Sequence, residues 1–356
     1  MTNIIKEDVM KTTMKQIADL HGVSINAVSL ALNNKPGVSN EMRSKILKTA
    51  EEMGYLESKE KYIRTFSRTN LCVMMQKIYS EDMNFYGRIL YAVTEEAKKN
   101  GYDILMNFFD DSNLEVPTMI SERRVAGIII IGKIKDENIE KLQKYYRPVV
   151  LVDHASLTKS IDSILTDNKL GGFIVTKYLI DKGFKKIGFF GELDYSLSIK
   201  ERFFGFREAI GILKNNQELK NTSVDKYIQK YSVTDDIEDA VLSSDIMKII
   251  QCIKKLKQLP EVFICSNDKA AILLLMALQS LGYHAPEDIS LVGFDNIDMC
   301  EKVNPKLTTV NVNKDMMGKR AVQRVIYRIS HKNCVSENTV INVELIERDS
   351  VRLPSK

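Results

Sequence analysis

Thr12–Tyr55 read TTMKQIADLHGVSINAVSLALNNKPGVSNEMRSKILKTAEEMGY, and the spacing within this run predicts three short helices. Thr13 caps the first, and Gln16, three residues on, completes a capping box. Met14, Ile17, Ala18 and Leu20 give that helix its apolar face. His21-Gly22-Val23-Ser24 makes the turn, where Gly22 takes positive φ without a Cβ clash. Ser24 caps a second helix running to about Asn33. On it Val28, Ala31 and Leu32 face the neighbouring helices, and Ile25, Asn26, Ser29 and Leu30 stay on the outer face. Asn34-Lys35-Pro36-Gly37 breaks the chain, and Ser39 caps a third helix through Met53. Two helices joined by so tight a turn form a helix-turn-helix, whose second helix enters the DNA major groove by its N-terminal end.

From Asn70 onward the pattern changes to short apolar strands alternating with helices. The strands are LCVMMQ, DILMNFF, GIIIIG, VVLVD, SILTD, KIGFFG, VFICS and SLVGFD. Between them run helical segments such as FYGRILYAVTEEAKKNG, Asp136–Tyr146, NKLGGFIVTKYLIDKG, Ser198–Asn215, DIMKIIQCIKKLK and DKAAILLLMALQSLG. Such alternation means parallel sheets wound by right-handed crossovers. Two such units facing each other enclose a cleft lined by the carboxyl ends of their strands. Those ends carry Asp153, Asn267, Asp268 and Asp295, and Arg202 opens the RFFGF run. Carboxylates and amides accept from hydroxyls, and a guanidinium donates a fork of N–H groups. Phe85 or Tyr86 supplies an apolar floor. Asp167-Asn168 reads as a helix cap.

The totals exclude several classes. A chain of 356 residues is long enough for two or three units. No run of 18 apolar residues spans a membrane. MTNIIKEDVMK has acids and no apolar core, so no secretory signal is expected, and residues 1–11 read as a disordered lead-in. Five scattered cysteines without a CxxC pair point to a reducing cytosol, and four histidines show no metal-ligand spacing. Of the net charge of +4, residues 1–69 hold +3, a modest surplus that needs two copies to gather enough phosphate contacts. Gly127–Ile134 has the spacing of a phosphate-binding loop but ends in Lys133-Ile134, without the Ser or Thr that holds Mg²⁺. There is no GxSxG or HExxH run and no nucleophile–base pairing, so neither an enzyme nor a cofactor is expected.

The first run, with IADLHGVS, AVSLALN, Val38-Ser39 and AEEMGY, resembles the headpiece of the LacI/GalR family of transcription regulators. The resemblance continues through TDNKLGG, RFFGF, SNDKAA, DISLVGFDN, PKLTTV and ELIERDSV, and so covers nearly the whole chain. It implies an all-α helix-turn-helix headpiece over residues 12–55, a hinge over 56–69, and an effector-binding and dimerisation domain of periplasmic-binding-protein type over 70–356. The two α/β subdomains would take about 70–161 with 296–321, and about 162–295 with 322–356. In the family the hinge helix wedges an apolar side chain into the minor groove. Here Glu57-Ser58 replaces the usual Pro-Asn, Lys61 the usual small residue, and Arg64 the wedge.

By the same resemblance Ile25, Asn26 and Leu30 take the base-contacting positions. Asn26 can pair with adenine through two hydrogen bonds, and Ile25 and Leu30 offer a thymine methyl their apolar contact. Thr13, Ser24, Ala27, Ser29 and Asn33 complete the DNA-facing set, the polar ones towards phosphates. Phe85, Asp153, Arg202, Asn267 and Asp295 form the expected effector set. The implied protein is a cytoplasmic, homodimeric repressor on a near-palindromic operator, with a sugar or sugar derivative as effector. A nucleobase effector or a phosphocarrier protein partner stands as the alternative.

Overall fold

The headpiece folds as α1 (Met14–His21), α2 (Ile25–Leu32) and α3 (Asn40–Glu52). This computed structural model describes residues 12–32, 37–55, 70–81, 83–145, 147–212, 222–331 and 333–352. The lead-in expected at 1–11, Asn33 and the hinge at 56–69 lie outside the described residues. The capping box forms as its spacing requires. The Thr13 amide donates to Gln16 Oε1 at 2.8 Å, and the Gln16 amide to Thr13 Oγ1 at 3.3 Å. Gly22 ends α1 at φ 59°. Ser24 Oγ accepts from the Ala27 amide at 3.1 Å, and Ser39 Oγ from Met42 at 3.3 Å. Ile17, Ala18, Val28, Ala31, Ile46 and Ala50 make the buried core. Leu20, expected among them, is 64% exposed. At 3.6 residues per turn it lies about 110° from the middle of the face that Met14, Ile17 and Ala18 define.

Two sheets follow. The first has strand order β10-β5-β4-β3-β1-β2, with β1 (Asn70–Gln76), β2 (Asp103–Phe109), β3 (Gly127–Ile131), β4 (Val149–Val152), β5 (Asp162–Thr166) and β10 (Asn338–Ile341). The second has order β11-β9-β8-β7-β6, with β6 (Ile187–Phe190), β7 (Val262–Cys265), β8 (Ser290–Asp295), β9 (Thr308–Asn311) and β11 (Glu344–Ile346). Around them run α4 (Tyr86–Lys99), α5 (Thr118–Ser121), α6 (Asp136–Gln143), α7 (Asn168–Asp181), α8 (Leu197–Ile212), α9 (Val224–Tyr231), α10 (Glu238–Leu242), α11 (Ile246–Lys254), α12 (Asp268–Ser280) and α13 (Lys314–Ser330). All five residues of β3 are buried, as in a strand covered on both faces, which removes the phosphate-loop reading of Gly127–Ile134.

Three expectations change. The sheets are not wholly parallel, because β11 pairs antiparallel with β9. The helix expected to reach Tyr146 ends at Gln143, while the end expected at Asn215 lies outside the described residues. The seam between the lobes also moves. Strand β5 pairs with β4, and β10 with β5, so both belong to the first lobe. Strand β9 pairs with β8 and belongs to the second. The first lobe is therefore about 70–166 with 314–341, and the second about 168–311 with 344–352. Backbone pairing decides this, and α13 confirms it by packing on α4 and on β3, β4 and β5. The chain passes between lobes three times, as expected, but later than expected at each pass.

Candidate DNA-reading surface and ligand cleft

On the headpiece the N-terminal end of α2 faces outward. Ser24 and Asn26 are exposed and Ile25 is 47% exposed, while Ala27, Ser29 and Leu30 are half-buried. Leu30 leans towards Gly37, where an added Cβ would stand 3.1 Å from Leu30 Cδ1. Arg43 Nη1, from α3, donates to the Leu30 and Ala31 carbonyls at 3.3 Å each, satisfying groups that the end of α2 leaves without helical partners. Thr13 is exposed, with its hydroxyl held in the cap of α1. The exposed Leu20 stands on α1 two residues before this turn. Its sequence signal was misleading, because it fits an apolar pattern that the helix does not bury.

Between the lobes lies a cleft of about 770 Å³. Residues just beyond the carboxyl ends of strands from both sheets line it: Tyr79 beyond β1, Lys133 beyond β3, Asp153 beyond β4, Tyr195 beyond β6 and Asn267 beyond β7, with Asp295 the last residue of β8. Arg202 projects from α8 and is 5% exposed. Its Nε donates to Asn168 Oδ1 at 2.9 Å, Nη1 to the Ser266 carbonyl at 2.5 Å, and Nη2 to Asp295 Oδ1 at 3.3 Å. Its guanidinium carbon lies 3.8 Å from the centre of the Phe294 ring. Two glycines allow this placement. A Cβ on Gly172 would meet the Arg202 carbonyl at 1.9 Å, and one on Gly205 the Lys169 carbonyl at 2.0 Å, so α7 and α8 approach backbone to backbone.

Asp295 takes φ 112°, and burial drives its carboxyl well above the usual carboxylate range against the pull of Arg202. Asp153, at φ 58°, accepts from the Tyr86 hydroxyl at 3.2 Å, and burial pushes its pKa up to about 6. Phe85 lines the cleft, edge-on to Tyr86 with ring centres 4.9 Å apart. The expected set Phe85, Asp153, Arg202, Asn267 and Asp295 is thus gathered in one cavity. Two of the expected polar groups carry other duties. Asn267 Oδ1 caps α12 by accepting from the Ala270 amide at 2.8 Å. Asp268 is 1% exposed and accepts from the Ile297 amide and the Thr309 hydroxyl, outside the cleft lining. Asp167 caps α7, as expected.

Sequence reading missed Tyr79, Tyr195, Lys133 and Glu238. Lys133 Nζ, from the first lobe, donates to the Tyr195 carbonyl of the second at 3.1 Å. Glu238 is 3% exposed, and its Oε2 has no partner among the described residues. Burial first, and Glu192 second, push its pKa up to about 7, while Arg202 and Lys269 pull it down. Its segment, DDIEDAV, looks like charged surface, and only the fold buries it.

A helix-turn-helix headpiece joined to a two-lobed domain with a ligand cleft defines a ligand-responsive, DNA-binding transcriptional regulator. The chain carries a LacI family helix-turn-helix domain and a periplasmic-binding-protein-like domain. Residues 13–58 match the family described as bacterial regulatory proteins, lacI family, and residues 176–351 match a periplasmic binding protein-like domain. The HTH-type transcriptional repressor PurR of Mannheimia succiniciproducens is 27% identical over 348 residues, covering 96% of this chain and 98% of that protein. The repressor of the same name from Vibrio vulnificus is 28% identical over 346 residues, with the same coverage of 96% and 98%. Among solved structures, the lac repressor dimer bound to operator and the anti-inducer ONPF superimposes with a TM-score of 0.63 at 20% identity, covering 96% and 99% of the two chains. A LacI family regulator from Enterococcus faecium with bound ribose gives 0.66 at 22% identity over 81% and 100%. The structural likenesses show the fold.

Proposed function

We propose that the chain is a homodimeric transcriptional repressor that reads a near-palindromic operator through α2 and changes its grip when a small molecule enters the cleft. The observation that carries this is Arg202, buried between strand ends and paired with Asp295, in a cavity walled by both lobes. A ligand there touches both lobes at once and so favours one angle between them. In a dimer that angle sets the separation of the two headpieces, and coupling of about 1–3 kcal/mol shifts occupancy severalfold to a hundredfold. Ile25, Asn26 and Leu30 meet base edges, and Thr13, Ser24, Ala27, Ser29 and Asn33 lie along the backbone. Phe85, Asp153, Arg202, Asn267 and Asp295 hold the effector, with Asn267 offering its amide N–H because its oxygen is used in the cap.

The effector in the first reading is a hydroxyl-rich sugar derivative, in keeping with carboxylates and a guanidinium at the strand ends and with the ribose held by a protein of the same fold. The tyrosine rings of the cleft favour a nucleobase as the second reading. The protein acts in the cytoplasm as a binding protein rather than an enzyme. No helix of the described residues is long and apolar enough to cross a membrane.

Operator selection from a randomised DNA pool tests the DNA-reading part. Asn26→Ala should relax the preference at one base pair of each half-site by about 1–3 kcal/mol, and Leu30→Arg should bring in guanine. An unchanged selected sequence for both variants contradicts the placement of α2.

A further inference from the structure

The charge inventory of the cleft is unbalanced. Every cation lining it already has a protein acceptor. Arg202 serves Asn168, Ser266 and Asp295; Lys133 serves the Tyr195 carbonyl; Lys200 serves Asp194; and Lys269 serves the Leu242 carbonyl at 3.0 Å. Of the three carboxyl groups deep in the cleft, Asp295 is matched by Arg202. Asp153 has a tyrosine hydroxyl at 3.2 Å, and Glu238 Oε2 has nothing among the described residues. A buried carboxylate without a partner is costly, and chains seldom keep one unless it serves a ligand or a reaction. These two carboxyls stand on opposite walls. Asp153 follows β4 in the first lobe, and Glu238 opens α10 in the second.

We infer that the effector is an organic cation, an unphosphorylated small molecule whose positively charged nitrogen pairs with Glu238 while a further N–H or O–H reaches Asp153. This rests on the reading of the cleft as the effector site and narrows the class of molecule it takes. The cation supplies the direct ion pair that Glu238 lacks, since Arg202 and Lys269 act on it without a hydrogen bond. A phosphorylated ligand would bring further negative charge against the carboxyls of Asp153, Glu238 and Asp295. The ring of Tyr79 on the cleft wall suits a cation as well, because an aromatic face attracts positive charge. The same chemistry comes from an amino sugar or from a positively charged nucleoside, and matched probes separate the two.

Calorimetry on the full chain at pH 7.5 would use D-glucosamine, D-glucose and glucose 6-phosphate as one set, and galactosamine with its neutral and phosphorylated counterparts as a second. A third set is 1-methyladenosine, adenosine and adenosine monophosphate. At least one cationic member should bind tenfold or more tightly than its neutral counterpart, with the phosphates silent. Glu238→Gln should cut that preference to under twofold. Asp153→Asn should weaken the cation and its neutral counterpart alike. A neutral or phosphorylated member that binds as tightly as its cation overturns the inference and leaves the effector reading standing. A cation preference that survives Glu238→Gln also overturns it. Silence in all sets, with operator binding indifferent to every compound, counts against the inference and the effector reading together.

Discussion

Arg202 and Glu238 share a cleft and were not equally legible. Arg202 and Asp295 lie in motif-like runs, RFFGF and VGFD, where a charged residue beside apolar ones signals a buried role. Glu238 sits between acids, in DDIEDAV, where local sequence predicts solvent. Its burial depends on the docking of α10, which no periodicity of five residues can announce. The consequence is measurable without a ligand. Burial raises the pKa of Glu238 from the ordinary 4.5 to about 7, so the folded state holds a proton that the unfolded chain has released. Stability from this group is greatest below about pH 4.5 and falls as the pH rises through 7. Glu238→Gln should therefore match the wild type near pH 4.5 and exceed it above pH 7 by a few kcal/mol, of the order of 1.4 kcal/mol per pH unit of that window. Urea unfolding at the two pH values checks this, and an equal difference at both would contradict it.

At the scale of elements, the headpiece was the most legible part because its signals are local. Thr13, Gln16, Gly22, Ser24 and Ser39 all take the cap and turn positions that their chemistry suggests. Thr13→Ala should remove a cap worth about 1 kcal/mol. Hydrogen exchange of the α1 amides in the full chain should then quicken about fivefold, and unchanged exchange would show that the cap contributes nothing. The C-terminal strands were the least legible. Strands β10 and β11 have only four and three residues, half-exposed in pattern. Which sheet edge each joins is decided by where α13 delivers the chain, not by either strand's own residues. Helices α9 and α10 were unread because they are short, although Val224, Tyr227, Ile228 and Tyr231 of α9 recur at helical spacing.

For the whole molecule, two lobes and a cleft followed from alternation alone, but the seam did not. It falls where Lys314, the first residue of α13, reaches the carbonyls of Asp295, Asn296 and Val312. That ammonium joins the end of a cleft strand to a helix of the other lobe. Ligand contacts at Asp295 thus fall on a residue that itself takes part in a link between lobes, and a change of angle has a direct route to the rest of the domain. Lys133 and Tyr195 make a second link across the cleft mouth. The central claim is that occupancy of this cleft governs the grip on DNA. The most direct measurement is operator affinity by fluorescence anisotropy, with and without a ligand found by thermal shift, for the wild type and Arg202→Ala. Wild-type affinity should change by a factor of about 5–150, while Arg202→Ala should bind operator like the ligand-free wild type and ignore the ligand. A variant that still responds at the wild-type ligand concentration would contradict the claim.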